Sequence, residues 1–183
     1  MIVGVRVRLR ADERADIPRF VEWLNDSLVI EHLSIQLPVS LAGEEQWFED
    51  TLHKPPAERP LAIEIREGQV WRLIGNCGFM NIQSMARVAE VGLFIGERSC
   101  WNKGYGTEVM RLLLQHGFAT LNLNRIFLRV DATNRGGIRA YEKAGFVHEG
   151  RLREAAYHGG HYEDLLIMSV LRSEWTSEKQ DQP

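Results

Sequence analysis

Val91-Gly92-Leu93-Phe94-Ile95, the linker Gly96 to Cys100, and Trp101-Asn102-Lys103-Gly104-Tyr105-Gly106-Thr107-Glu108 form the stretch on which the fold turns. An apolar run of strand type gives way to a loop. The loop opens a helix carrying Val109, Met110, Leu112, Leu113, Leu114 and Phe118. Two glycines one residue apart at that junction let the backbone pass close to a ligand. The first amides of a helix lack intrahelical partners, and the positive end of its dipole favours an anion. The junction therefore predicts a phosphate or pyrophosphate held mainly by main chain.

On either side of this junction, strand and helix patterns alternate. Val3, Val5, Val7 and Leu9 sit at period two and predict a first strand, with Arg6, Arg8 and Arg10 on its solvated face. Asp16 is placed to cap a helix with Pro18 in its first turn and Ile17, Phe20, Val21, Leu24 and Leu28 at helical spacing. A second helix is expected over 43–52, before the breaker Lys54-Pro55-Pro56. Segments 61–66 and 71–80 read as a hairpin turning at Glu67-Gly68-Gln69, and 89–95 as a further strand. The central helix should run to about Leu121, followed by a strand at 125–130 and a short helix at 134–144 closed by Gly145. Segments 147–152 and 164–171 complete the sheet. The prediction is one α/β (α+β) domain over residues 1–175, with a polar tail at 176–183.

Bulk properties narrow the function. The chain has 183 residues, a formal net charge of −3 and 26% charged residues, which give no global pull toward nucleic acid or anionic membrane. The only cysteines, Cys77 and Cys100, have no paired spacing, so neither a disulfide framework nor a zinc site is expected. His158-Gly159-Gly160-His161 reads as a hairpin tip rather than a metal site, and no metal is expected. The opening Met1 to Arg10 alternates apolar and basic residues without the apolar centre of a signal peptide, so a cytoplasmic enzyme is expected.

Other phosphate ligands fit the loop poorly. A nicotinamide-binding loop would place a third glycine where Val109 stands, and would follow its strand directly. Asp131 imitates the ribose-binding acid of that motif only superficially. A nucleoside triphosphate loop needs Lys-Ser/Thr after its last glycine, where this chain has Thr107-Glu108. The loop and the segment Asn134-Arg135-Gly136-Gly137-Ile138-Arg139-Ala140-Tyr141-Glu142-Lys143-Ala144-Gly145-Phe146 together resemble the GNAT superfamily of acetyl-CoA-dependent N-acetyltransferases. Trp23-Leu24-Asn25-Asp26 and Tyr162-Glu163-Asp164-Leu165 are similar to its RimJ/RimL-like branch. In two places the chain departs from the superfamily pattern, with Trp101 in place of Arg or Gln and Gly137 in place of Ser or Ala.

The resemblance implies a GNAT fold: a mixed, mostly antiparallel sheet of six to seven strands, splayed at the acetyl-CoA site, with helices on both faces. It implies acetyl-CoA as cosubstrate and direct acetyl transfer to a primary amine, either a small amine such as a polyamine or a protein N-terminus. It is also compatible with a homodimer. The strand before the loop would carry a bulge, with Phe94, Ile95 and Gly96 contacting the pantetheine arm. An N–H near Phe94 would polarise the thioester, an effect worth on the order of 3 kcal/mol for such a donor. The amides of Trp101, Asn102, Lys103, Gly104, Tyr105, Gly106 and Thr107 would hold the pyrophosphate, and Asn134 and Lys143 would also bind the cofactor. Tyr141 would be the general acid and Glu90 the first candidate base, ahead of Glu22 and Asp26. Trp23, Asp26, Tyr157 and His158 are the expected acceptor contacts, with His32 and Trp47 as further candidates. The acidic residues Glu22, Asp26, Glu31, Glu44, Glu45 and Glu49 point weakly to a cationic acceptor. A non-catalytic acyl-CoA sensor on the same fold is the alternative function, motivated by Gly137.

Overall fold

A computed structural model describes residues 1–35 and 38–175; the polar tail expected at 176–183 lies outside the described residues. Eight strands form one sheet in the order β1-β2-β3-β4-β5-β6-β8-β7. The strands are β1 Ile2–Val3, β2 Val7–Ala11, β3 Leu61–Glu67, β4 Val70–Gln83, β5 Val88–Ile95, β6 Arg125–Asp131, β7 Val147–His158 and β8 His161–Leu171. The helices are α1 Ile17–Leu24, α2 Leu41–Leu52, α3 Tyr105–Gln115 and α4 Arg135–Ala144. A π-helical turn, His116–Thr120, carries α3 on toward Leu121. No described helix is long and apolar enough to cross a membrane.

The expected first strand is two. Gly4 N–H donates to Val7 O, and the Glu108 carboxylate accepts from the amides of Arg6 and Val7, so the chain turns at 4–6. Val3 and Val5 are consequently exposed, although period two would have buried them. The arginines of this region are paired rather than merely solvated: Arg8 and Arg10 share Glu64, Arg10 also meets Asp16, and Arg6 meets Glu108.

Neighbouring residues of a strand face opposite sides of the sheet, and the core divides accordingly. Ile74, Val91 and Ile95 pack with Val109, Met110 and Leu113 of α3, whereas Leu73 and Phe94 pack with Phe20, Trp23 and Leu24 of α1. Only β5 and β6 are parallel, and they pair for three residues, Val88 to Glu90 against Arg125 to Phe127. Beyond that point β5 keeps only β4, and β6 keeps only β8. The sheet opens there. The expected irregularity lies on β4 rather than β5, between Met80 and Gln83, where Asn81 takes φ of 55°.

Candidate active site

Two cavities meet at the opening between β5 and β6. The first, about 580 Å³, is walled by the β5 end, the loop before α3, and α4. The second, about 510 Å³, lies toward β4, β6 and the segment around Trp47 to Pro60. His32, Leu33, Leu93, Phe94, Asn134 and Tyr141 line both. A ligand threaded from one cavity into the other would pass these six residues.

Where the loop enters α3, the first cavity presents main chain. Gly104 stands before α3 at φ 82°, a left-handed conformation that glycine adopts without strain, and contributes no capping side chain. The first-turn amides of α3 are thus left without a side-chain acceptor at a helix start that faces the cavity. Gly106 also faces it; a β-carbon there would sit 3.8 Å from Ile95 Cδ1 and 3.9 Å from Ala140 Cβ. These features suit a diphosphate. Arg6 braces the loop from outside, donating to Lys103 O at 3.0 Å and stacking over the Tyr105 ring. The Trp101 indole donates to Ile95 O at 2.7 Å, which shows Ile95's main chain facing the open side of β5. On the opposite wall, Asn134 caps α4 by accepting from Gly137 N at 2.8 Å. A β-carbon at Gly137 would come within 2.9 Å of the Asn134 amide nitrogen, so glycine here accommodates that cap.

Most expected cofactor residues line the first cavity: Phe94, Ile95, Trp101, Asn102, Gly104, Tyr105, Gly106, Thr107, Asn134 and Lys143. Gly96 and Lys103 do not. A β-carbon at Gly96 would lie 2.2 Å from the Trp23 ring, so Gly96 is the seat of an aromatic side chain. Lys103 offers its carbonyl to Arg6 instead.

The second cavity is made of side chains from distant segments, among them Trp47, Lys54, Glu58, Asn76, Glu90, Arg129 and Asp131. Glu90 is buried and gripped: Arg129 donates to both its oxygens at 2.8 and 3.2 Å, and Asn81 donates at 3.3 Å. These three donors take three of its roughly four lone-pair sites, which leaves it poorly placed to act as a base. Trp23 is core, packed with Phe20 and Phe94, and lines neither cavity. Asp26 accepts from Leu28 N and lies 3.5 Å from Arg98. Tyr157 is exposed and stacks on Tyr162. Of the other acids read as a cationic signal, Glu22 and Glu49 pair with Arg19 and Arg14, while Glu44 is buried. Of the six acids only Glu31 lines either cavity.

His32, Asp131 and His158 come together at the edge of this cavity. His32 Nδ1 lies 3.1 Å and His158 Nε2 2.9 Å from the same Asp131 oxygen. The second approach is off the hydrogen-bonding direction, and His158 Nδ1 has no partner either. Among the described residues this is the one group of three or more histidine, cysteine or carboxylate side chains whose ligand atoms all lie within 4.8 Å of one another. Asp131 is the residue sequence reasoning missed, having weighed it only as an imitation of a ribose-binding acid. Its signal was its place at the carboxyl end of the strand that parts from β5, where ligands collect in parallel sheet segments.

Tyr141, on α4, lies between the two cavities and packs edge-on against Phe146. Burial pushes its phenol up to about 12, so it holds its proton at neutral pH.

Comparison with known proteins agrees with this geometry. The family model described as Acetyltransferase (GNAT) domain matches residues 6–147. An N-acetyltransferase of Bacillus licheniformis is 31% identical over 173 residues, 93% of this chain and 95% of that protein. A spermidine N(1)-acetyltransferase of Vibrio cholerae is 31% identical over 171 residues, 93% of this chain and 95% of that protein. The crystal structure of spermidine N-acetyltransferase from Vibrio cholerae with CoA and spermine superposes with a TM-score of 0.84 at 28% identity, covering 93% of this chain and 98% of that one.

Proposed function

The chain belongs to the GNAT family of acetyltransferase domains and is an N-acetyltransferase; on that premise we propose that it moves the acetyl group of acetyl-CoA directly to a primary amine of the polyamine class. The observation that carries this reading is the junction of two cavities at six shared residues. One cavity is suited to a diphosphate and its pantetheine arm, the other to an acceptor. The likeness to spermidine acetyltransferases along nearly the whole chain favours a small polyamine over a protein N-terminus, and the carboxylates of Glu58, Glu90 and Asp131 lie in the acceptor cavity. The finer placement in the RimJ/RimL-like branch rests on the two flanking segments read in the sequence.

In this reading the amides of residues 104–107 hold the pyrophosphate, with Lys143 and Arg139 adding positive charge from α4. Alternate residues of a strand turn their main-chain groups the same way, so Leu93 N–H shares the open side with Ile95. These two amides, rather than that of Phe94, are the candidate donors to the thioester oxygen as charge develops on it. Tyr141 acts differently from a full acid. Burial raises its phenol to about 12 and favours the neutral form that donates a hydrogen bond. It therefore serves by donating a hydrogen bond to the departing sulfur, which takes its proton from the attacking nitrogen.

The test is CoA thiol release from acetyl-CoA with a panel of polyamines, N-terminal peptides, amino acids and aminoglycosides. Amine-dependent release, fastest with polyamines, is expected. Release fastest with peptides would move the acceptor to a protein N-terminus, and tight CoA binding without amine-dependent release would overturn catalysis altogether.

A further inference from the structure

The acceptor nitrogen poses a problem that the residues assigned so far do not solve. A polyamine amine is protonated at neutral pH, with roughly one molecule in several thousand carrying the free lone pair needed for attack. Glu90 is held by Arg129 and Asn81. Asp131, at the end of β6, is a carboxylate only 3% exposed, and no Lys or Arg side chain forms an ion pair with it among the described residues. The polar partners within reach are two imidazoles. A buried carboxylate beside two imidazoles, one of them on the wall shared by donor and acceptor cavities, is a proton-handling arrangement.

Resting on the function proposed above, we infer that His32, oriented by Asp131, is the base that takes the proton from the acceptor ammonium. A carboxylate facing Nδ1 selects the tautomer with hydrogen on that nitrogen, leaving Nε2 as the lone pair. His32 sits on the turn after α1 and reaches Asp131 on β6. The groups around it are Asp131, His158 from the end of β7, and Glu31 on its own turn. His158, with Nε2 2.9 Å from the same oxygen, is a second neighbour for the carboxylate.

The step balances as follows. The ammonium gives one proton to His32 Nε2, and the imidazolium is stabilised by Asp131. The freed nitrogen lone pair forms the bond to the thioester carbon as the carbon–sulfur bond breaks. A second proton leaves that nitrogen for the sulfur, giving the acetamide and the CoA thiol. His32 then returns its proton to water. No oxidant, metal or further reactant enters.

His32→Gln and Asp131→Asn test the assignment with two acceptors: the best polyamine, and a β,β-difluorinated analogue of it whose reacting amine is substantially unprotonated at neutral pH. General-base assistance is typically worth about 10²-fold or more. Each variant should lose about that much kcat/KM with the polyamine and less than about threefold with the fluorinated amine. CoA affinity, measured by calorimetry, should be unchanged. Equal losses with both acceptors would reduce the pair to a structural role and overturn the inference. So would full activity of His32→Gln, or wild-type turnover that requires a divalent ion and vanishes with a chelator. Absent amine-dependent thiol release in the unmodified protein would instead fail the function itself, whereas normal wild-type turnover with equal variant losses would fail only the base.

Discussion

The two cavities are built by opposite strategies. The cavity proposed for the donor presents main chain at its loop, with a left-handed Gly104 and a helix start that has no capping side chain, and faces the Asn134 cap of α4. The acceptor cavity is side chain, assembled from α2, the Pro56–Glu58 turn, β4, β5 and β6, with its carboxylates committed to arginine, to backbone amides or to histidine. Main-chain donors serve every CoA thioester alike, because they read the diphosphate and not the acyl group or the amine. Side chains on separate segments can be exchanged singly without undoing the donor grip. The contrast therefore assigns chemistry held in common to one end of the molecule and selectivity to the other.

The largest effect expected falls just past the end of β5, at a residue that lines neither cavity. Gly96→Ala would drive a methyl into the Trp23 ring, at 2.2 Å in the present packing, and should destabilise the fold by about 3 kcal/mol. Thermal unfolding checks this. An unchanged melting temperature with weakened acetyl-CoA binding would return Gly96 to the list of cofactor contacts. Next comes Tyr141→Phe, which removes one hydroxyl at the junction and should lower kcat about 10²-fold while leaving acetyl-CoA affinity unchanged. Equal loss of affinity and turnover in a titration and a rate assay would make Tyr141 part of the donor grip instead.

How much of this was legible in the sequence follows the same division. Gly104, Asn134 and Gly145 announce turns and caps through their own backbone preferences, so this end could be read locally. Gly159 and Gly160, at φ of 60° and 85°, likewise form the hairpin tip that their pairing predicted. The break at Gly4 could not be read, because the carboxylate that captures the amides of Arg6 and Val7 belongs to Glu108 on α3, 102 residues beyond Arg6 in the chain. Trp23 looked like a pocket residue because nothing local shows that Gly96 lies beneath its ring. Asp131 and Glu90 acquire their meaning only from partners brought in by strand pairing. Glu90 meets Arg129 from the neighbouring parallel strand, and Asp131 meets imidazoles from two other segments.

A third effect separates the two ends by pH. Behind the acceptor cavity Asp12 is buried, with Oδ1 unpaired and Oδ2 accepting from Asn76 at 2.6 Å. Burial first, and then repulsion from Asp16, raise its carboxyl from 3.8 to about 7, against the opposing pull of Arg10. A carboxyl raised on folding contributes stability that is fully present below its unfolded value and is lost as pH rises through its folded value. Stability should thus decline between about pH 4 and pH 7 for this group. Asp12→Asn removes that decline and should gain about 2 kcal/mol at pH 8 with little change at pH 4, as read from denaturant midpoints. The same gain at both pH values would show packing, not ionisation, as the cause.

Gly106→Val has the smallest expected effect and bears most directly on the main-chain account of the donor end. The β-carbon itself meets only ordinary contacts, at 3.8 and 3.9 Å, so the protein accommodates it without strain. In a helical first turn valine is if anything slightly better than glycine, and stability should hold or rise by a few tenths of a kcal/mol. The added methyls have one consequence left, to occupy space along the cavity wall where a diphosphate would approach the amides. Acetyl-CoA affinity should therefore fall about tenfold, close to 1.4 kcal/mol, in a protein that melts no lower than the original. If affinity stayed the same, the diphosphate would have to be gripped elsewhere, and the cations of α4, Arg139 and Lys143, would become the donor site in place of the loop.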